Sequence, residues 1–467
     1  MRTCNTLPTR TLGHAHRLSA KVTLLQRLST GIVVLLVSGC ASYGVIANKP
    51  MQVPADDRGY SVETFMKEWR TSENALMLAF SGGGTRAAAL SYGVLKELRD
   101  TPVVSRQGTI RLLDEIHTIS SVSGGSFTSA YYGLHGDGIF DEYEEVFLRQ
   151  NVEGALIWRV LNPLRWFGST SRTEMAVGYY DQNIFNGATF ADMHKKDGPL
   201  ILINATDLAN GVRFSFVQEY FNLLCSDLSS FPVSRAVTAS SAVPVLFKPI
   251  VVENYPECGE EYTWLKVAQT EAASDEQIGM LVDGVEKYFD RDKHRYAHFV
   301  DGGISDNLGL RAIYEITEVS AGGGGSFMEK HQRQPPRRIV MIAVDASTED
   351  DTDMYRSNKT PSLKETVGAM TDVQLHRYNA ATIELMRNYI NSWALEMSTP
   401  DTPVTPYFIL LDFNDIQDPG RLEYFNQIPT SFHLEDEQVD SLIEAGGELL
   451  RNNPEFRRLL SDLNASQ

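Results

Sequence analysis

The sequence predicts an α/β fold: a mostly parallel central sheet with helices on both faces, followed by a largely helical C-terminal extension. Residues 75–80 (ALMLAF) form an unbroken apolar run of strand length, the pattern of a strand buried on both faces. Ser81-Gly82-Gly83-Gly84 follows, and apolar residues then recur at Ala87, Leu90, Val94, Leu95 and Leu98 with helical spacing. The stretch 116–122 leads in the same way into Ser123-Gly124-Gly125 and a small-residue helix to about residue 134. Two strand, glycine-loop, helix units with no hairpin turn between them argue for parallel pairing. Ligands of such sheets gather at the carboxyl ends of strands, where both loops lie.

Further strands are expected at 200–205, 214–217, 296–300, 339–344 and 407–411, and long helices at 366–395 and 437–463. A short helix is expected at 61–70. The segment 141–190 differs in texture: Trp158, Trp166, Phe167, Tyr179, Tyr180 and Phe185 interleave with Arg159, Arg165 and Arg172. Such a mixture fits a lid or surface resting on lipid, and it equally fits the core of a helical insertion. Stretches 255–295 and 321–336 read as surface loops, and no internal repeat is present. The expected organisation is a targeting segment 1–39, a tether and short helix 40–72, a catalytic domain 73–345 carrying the 141–190 insertion, and a C-terminal strand and helical extension 346–467 packed on it.

Forty-two basic residues face 60 acidic ones, for a formal net charge of -18. All five charges before residue 40 are basic (Arg2, Arg10, Arg17, Lys21, Arg27), so their removal leaves -23. So acidic a chain is a poor partner for a nucleic-acid backbone, and none is expected. The basic start, the apolar run 32–37 and Ser38-Gly39-Cys40 form a targeting segment whose apolar part is far shorter than the roughly 20 residues that span a bilayer. The arrangement resembles a bacterial lipobox, with Val37 where leucine is commonest; the alternative is an ordinary cleaved secretory signal. Lipidation of Cys40 would give a membrane-anchored lipoprotein facing the periplasm, and Ser42 at the second mature position points to the outer membrane. Cys225 and Cys258 then remain, at a spacing that does not demand pairing.

The chemistry lies in three motifs. Ser81-Gly82-Gly83-Gly84-Thr85-Arg86 is neither a P-loop nor a dinucleotide fingerprint: no lysine follows until Lys96, and Ala87 stands where the last glycine of the fingerprint would fall. A nest of backbone N–H groups at a helix N-terminus remains, suited to a developing negative charge. Ser121-Val122-Ser123-Gly124-Gly125 matches the G-x-S-x-G elbow except for Ser121. Val300-Asp301-Gly302-Gly303-Ile304 ends an apolar strand with an acid, which is either a catalytic carboxylate or a cap for the next helix. Asp207 is a rival acid. Ser240, Ser241 and Ser305 read as caps or small packing residues. His376 or His433 would formally complete a Ser-Asp-His order, although neither lies beside a glycine loop. No H-E-x-x-H or C-x-x-C occurs, and neither a metal nor a cofactor is expected.

In this order along the chain, Gly82-Gly83-Gly84-x-Arg86, Ser123-x-Gly125 and Asp301-Gly302-Gly303 resemble the patatin-like phospholipase family. The resemblance extends to Asn204-Ala-Thr-Asp-Leu208, Ala239-Ser-Ser-Ala-Val-Pro244 and Asp306-Asn307, and covers roughly residues 75–345. It implies a patatin-like fold and a Ser-Asp dyad without histidine: Ser123 as nucleophile, Asp301 as base, the amides of Gly82, Gly83 and Gly84 with Thr85 as oxyanion hole, and Arg86, Gly125, Gly302 and Gly303 in support. The implied function is hydrolysis of fatty-acyl esters of phospholipids through an acyl-enzyme, at a membrane reached by the lipid anchor. A lysophospholipase or acyltransferase on the same dyad, or an inactive lipid-binding lipoprotein, is the alternative.

Overall fold

Strand β1 (Asn74–Phe80) is buried along its whole length. Its neighbours in the sheet are β2 (Ile116–Val122) and β7 (Arg338–Val344), both parallel to it and equally buried. The structure, a computed structural model, describes residues 43–51, 59–68, 73–105, 108–154, 171–195, 198–244, 246–256, 258–259, 262–321, 334–349 and 358–465. The targeting segment, Cys40, most of the tether, the glycine run at 322–325, and Trp158, Arg159, Arg165, Trp166 and Phe167 lie outside the described residues.

The remaining strands of this sheet are β3 (Leu200–Asp207), β4 (Val212–Ser215), β5 (Ile250–Glu253), β6 (Tyr296–Asp301) and β8 (Thr405–Leu411), and two small two-stranded sheets, one of them a hairpin of Pro102–Ser105 with Gly108–Arg111, stand apart from it. The sheet order is β8-β7-β1-β2-β3-β6-β5, with β4 also paired to β3. The five strands from β8 to β3 are mutually parallel. At β3 the sense changes: β6 and β4 both run antiparallel to it, and β5 antiparallel to β6. The sheet is thus mostly parallel with an antiparallel flank.

Helices α1 (Gly84–Asp100), α2 (Gly124–His135), α3 (Val233–Ser240), α4 (Leu310–Ala321) and α5 (Leu363–Met397) surround it. Adjacent residues of one strand point to opposite faces. On β2, Ser121 Oγ meets Ser129 Oγ of α2 at 2.6 Å, while Ser120 Oγ donates to the carbonyl of Gly309 at the start of α4. One face of the sheet therefore carries α2 and the other α4.

The single helical pattern expected at 437–463 is two helices, α6 (Asp436–Asn452) and α7 (Pro454–Ala465). Pro454 has no N–H to continue α6, and Asn453 Oδ1 instead caps α7 through the amides of Glu455 (2.9 Å) and Phe456 (3.2 Å). Helix α6 lies along α1 at backbone contact: a Cβ on Gly93 would overlap the carbonyl of Ile443, and one on Gly446 the carbonyl of Leu90. In the described part of the 141–190 insertion, Tyr143, Phe147, Tyr179, Tyr180 and Phe185 are all buried. Phe127 of α2 stacks on Phe147 with ring centres 4.4 Å apart and meets Tyr180 edge-on at 4.9 Å, so this part is core. Cys225 and Cys258 form a disulfide. Among the described residues no helix is long and apolar enough to cross a membrane.

Candidate functional site

Ser123 sits between β2 and α2 with φ 50° and ψ -119°. A non-glycine residue held at positive φ carries of order 1–3 kcal/mol of strain, which the surroundings must hold in place. Two glycines make the turn possible. A Cβ on Gly124 would overlap the carbonyl of Gly84, and one on Gly125 would stand 2.7 Å from Phe80 Cβ and 2.8 Å from the carbonyls of Phe80 and Ser81. The elbow and the first glycine loop touch through bare backbone.

The first loop follows β1 and opens α1, with Gly83 at φ 137° and Gly84 at φ 62°. Gly82 lies beside the serine, since a Cβ added there would be 3.3 Å from Ser123 Cβ. The four residues of the expected oxyanion hole are not equivalent. The Gly82 N–H donates to the carbonyl of Asn307 at 3.0 Å and the Thr85 N–H to that of Ser431 at 2.8 Å. The amides of Gly83 and Gly84 bond to nothing among the described residues, and Thr85 Oγ1 is buried without a partner. Arg86, also buried, donates from Nε to the carbonyl of Ala346 (2.9 Å), from Nη1 to that of Ile428, and from Nη2 to Thr430 Oγ1 (3.0 Å).

Asp301 reaches the serine by a route the sequence did not indicate. It ends β6, which runs against β3 with Asp301 opposite Ala205, one residue past Asn204, and Asn204 pairs with Val122 on the other edge. The antiparallel strand thus stops level with the elbow. The Asp301 carboxylate lies near enough to the Ser123 hydroxyl for that hydroxyl to favour its charged form, and the Gly303 N–H donates to Asp301 Oδ1 at 2.8 Å. The carboxylate supports the start of the short helix Gly303–Asp306, as the capping reading expects, and it also faces Ser123. Burial pushes its pKa up to about 6, against the pull of the Gly303 N–H and the nearby Ser123 hydroxyl. A Cβ on Gly302 would overlap the carbonyl of Asn204, and one on Gly303 would stand 3.0 Å from Asp301 Oδ1.

The rivals lie elsewhere. Asp207 Oδ2 accepts from Tyr288 (2.6 Å) and Asn210 (2.9 Å), and Oδ1 from the Ala209 N–H (3.0 Å), so it is consumed by structural bonds. His376 is exposed on α5. No histidine is hydrogen-bonded to Ser123 or Asp301 among the described residues, and no group of three or more His, Cys, Asp or Glu there is placed to hold a metal.

Ser240 is the residue that sequence reasoning undervalued. Its hydroxyl accepts the Ser123 N–H (2.9 Å) and donates to the carbonyl of Asn204 (2.6 Å), with Ser126 Oγ at 3.0 Å; its carbonyl accepts the Gly302 N–H (3.0 Å). It bridges the serine and aspartate segments and is no mere packing residue. The stretch Ala239-Ser-Ser-Ala-Val-Pro244 carried the signal, but which serine mattered depended on the fold. Ser121, the mismatch in the elbow motif, points into α2 through its contact with Ser129 and also lies 3.2 Å from the carbonyl of Leu202.

A mostly parallel sheet covered by helices, with a positive-φ serine at a strand-to-helix turn, places the chain among α/β folds with a sharp serine elbow. The chain belongs to the patatin-like phospholipase family, whose model matches residues 78–314. Among solved structures it is similar to human GIVD cytosolic phospholipase A2 in complex with methyl gamma-linolenyl fluorophosphonate, at 12% identity and a TM-score of 0.38, over 91% of this chain. The chain spans 66% of the length of that protein. It is also similar to VipD from Legionella pneumophila (9% identity, TM-score 0.28, 92% of this chain and 72% of that one). A third is full-length ExoU of Pseudomonas aeruginosa, solved with SpcU (12% identity, TM-score 0.21, 83% and 90%). No curated protein matches the chain.

Proposed function

We propose that this protein is a serine acyl hydrolase acting on fatty-acyl esters of phospholipids. Membership of the patatin-like phospholipase family supports lipid ester hydrolysis. The observation that carries the finer reading is the placement of the buried Asp301 carboxylate beside the positive-φ Ser123. Ser123 Oγ attacks the ester carbonyl as its proton passes to Asp301. The tetrahedral oxyanion takes the amides of Gly83 and Gly84, the two loop donors that have no other bond to lose. Collapse expels the alcohol with the proton from Asp301 and leaves an acyl-enzyme. Water, deprotonated by Asp301, then attacks the acyl carbon and releases the fatty acid, regenerating Ser123. An aspartate of ordinary pKa is a feeble base for a hydroxyl; burial that raises it to about 6 improves the match while leaving it ionised at neutral pH.

The same proposal places the enzyme on the periplasmic side of a bacterial membrane, most simply the outer one, held by lipid on Cys40. The Cys225–Cys258 disulfide supports an oxidising compartment.

A fluorophosphonate probe tests the reading. Labelling of the wild-type chain that disappears in Ser123→Ala, with ester hydrolysis lost in step, is the expected result. Absence of both labelling and hydrolysis in folded wild-type protein would return the case to a lipid-binding lipoprotein.

A further inference from the structure

We infer that the segment 428–433, far beyond the family-matched residues 78–314, is a positioning strap for the candidate oxyanion loop, so that the working active site of this chain includes its C-terminal extension. The inference rests on the hydrolase reading above. A loop of three glycines has almost no side chains with which to fix its own position, and Gly83 and Gly84 both occupy positive φ. Its hold must come from outside, and much of it comes from this segment.

Five contacts make the strap. The Thr85 N–H donates to the carbonyl of Ser431 at 2.8 Å. Arg86 donates to the carbonyl of Ile428 and to Thr430 Oγ1. The backbone of Gly84 lies against Ser431 so closely that a Cβ there would overlap the Ser431 carbonyl. The ring of Phe432 packs 5.6 Å from that of Phe127, on the helix that Ser123 opens. One short segment therefore touches Gly84, the two residues that follow the free amides, and also the nucleophile's helix.

The strap is itself stiff. Pro429 has a fixed φ, and Ser431 Oγ accepts the His433 N–H (2.9 Å) and donates to the His433 carbonyl (2.8 Å), closing a tight turn. The Phe432 N–H donates to Glu153 Oε1 at 3.3 Å, and α6, immediately downstream, is locked to α1 at Gly93 and Gly446. Oxyanion donors act only where the charge develops, and a displacement near 1 Å costs on the order of 100-fold in rate.

Thr430→Val removes one of the three acceptors of Arg86 at nearly constant shape, and Phe432→Ala removes the strap's own packing on Phe127. Each is expected to lower kcat on a soluble p-nitrophenyl ester by about 10- to 100-fold with KM within about 2-fold. Each should also weaken a trifluoromethyl ketone, whose hemiketal oxyanion needs the same donors, by the same factor. Thr430→Ser should restore wild-type values. Amide hydrogen exchange in the peptide covering residues 82–86 should accelerate in Thr430→Val while that of β1 stays slow. Wild-type kcat and ketone inhibition in both variants would overturn the inference, as would a lowered melting temperature with kcat per labelled site and loop exchange unchanged. A wild-type chain that neither hydrolyses esters nor takes the serine probe would sink the hydrolase reading and this inference with it.

Discussion

The backbone N–H of Ser123 donates to the hydroxyl of Ser240 at 2.9 Å, while the Ser240 carbonyl accepts from the Gly302 N–H at 3.0 Å. One buried residue thus fixes the backbones on both sides of the Ser123–Asp301 pair. Ser240→Ala leaves the Ser123 amide without its acceptor inside the protein, which costs about 1–3 kcal/mol. The expected outcome is a lower melting temperature together with a fall in kcat of about 10-fold or more. Wild-type kinetics in a folded Ser240→Ala variant would show that the elbow holds its shape without this bond.

Asp301 sets a pH dependence in two quantities. With Asp301 as the proposed base, activity requires its ionised form, so kcat/KM is expected to rise with pH through about 6 and level off above it. Stability moves the opposite way. The folded chain keeps the Asp301 proton between pH 4 and pH 6, where the unfolded chain has already lost it, so folding weakens as pH rises through that window. The change from 3.8 to about 6 corresponds to about 3 kcal/mol, absent below pH 4 and complete above 6. Asp301→Asn should therefore be inactive yet melt above the wild type at pH 8, with the gap closing below pH 4. An unchanged gap across that range would assign the stabilisation to something other than charge burial.

Gly124→Ala tests the contact between the two glycine loops. The new methyl overlaps the Gly84 carbonyl, a backbone atom that cannot swing away, so the loops must part. Hydrolysis is expected to fall by more than about 100-fold, far beyond the loss in melting temperature. Activity within a few-fold of wild type would mean that the loops can separate without harm.

The Cys225–Cys258 disulfide closes a loop of sequence separation 33. Replacing both cysteines with serine should cost about 2–4 kcal/mol, read as a lower denaturation midpoint in the double variant. A midpoint equal to that of the oxidised wild type would exclude a stabilising role for the crosslink.

Ser121→Ala deletes the hydroxyl that meets Ser129 at 2.6 Å and leaves Ser129 to its longer contact with the Ser126 carbonyl at 3.3 Å. A stability loss of about 1 kcal/mol with little change in kcat is expected. A large kcat effect would give this position a role in shaping the elbow.

The parallel half of the fold was legible because fully buried strands leave unbroken apolar runs: 75–80 and 339–344 lie inside β1 and β7. Strand β5, Ile250–Glu253, was missed, for only four residues with alternating burial leave little pattern. The sense of β6 was invisible as well, since direction is set by which neighbour a strand pairs with. At the candidate site, Ser123, Gly84 and Asp301 announced themselves through glycines demanded by close backbone approach. Ser240 and Ser431 act through one hydroxyl and one carbonyl, and a carbonyl has no sequence signature at all. The break at Asn453-Pro454 was readable from proline alone, and helical periodicity on either side concealed it.

Because β6 comes back along β3 and stops opposite Ala205, the spacing of Ser123 and Asp301 is fixed by a hydrogen-bond ladder and not by the length of chain between them. The two helices Thr263–Glu271 and Glu276–Val285 lie outside that ladder, and the stretch 263–285 can lengthen, shorten or be rebuilt while the pair keeps its distance. A slip of a single rung is another matter: it carries the carboxylate about 3.4 Å along the sheet and turns it to the opposite face. Change is thus tolerated in that stretch and forbidden in the register.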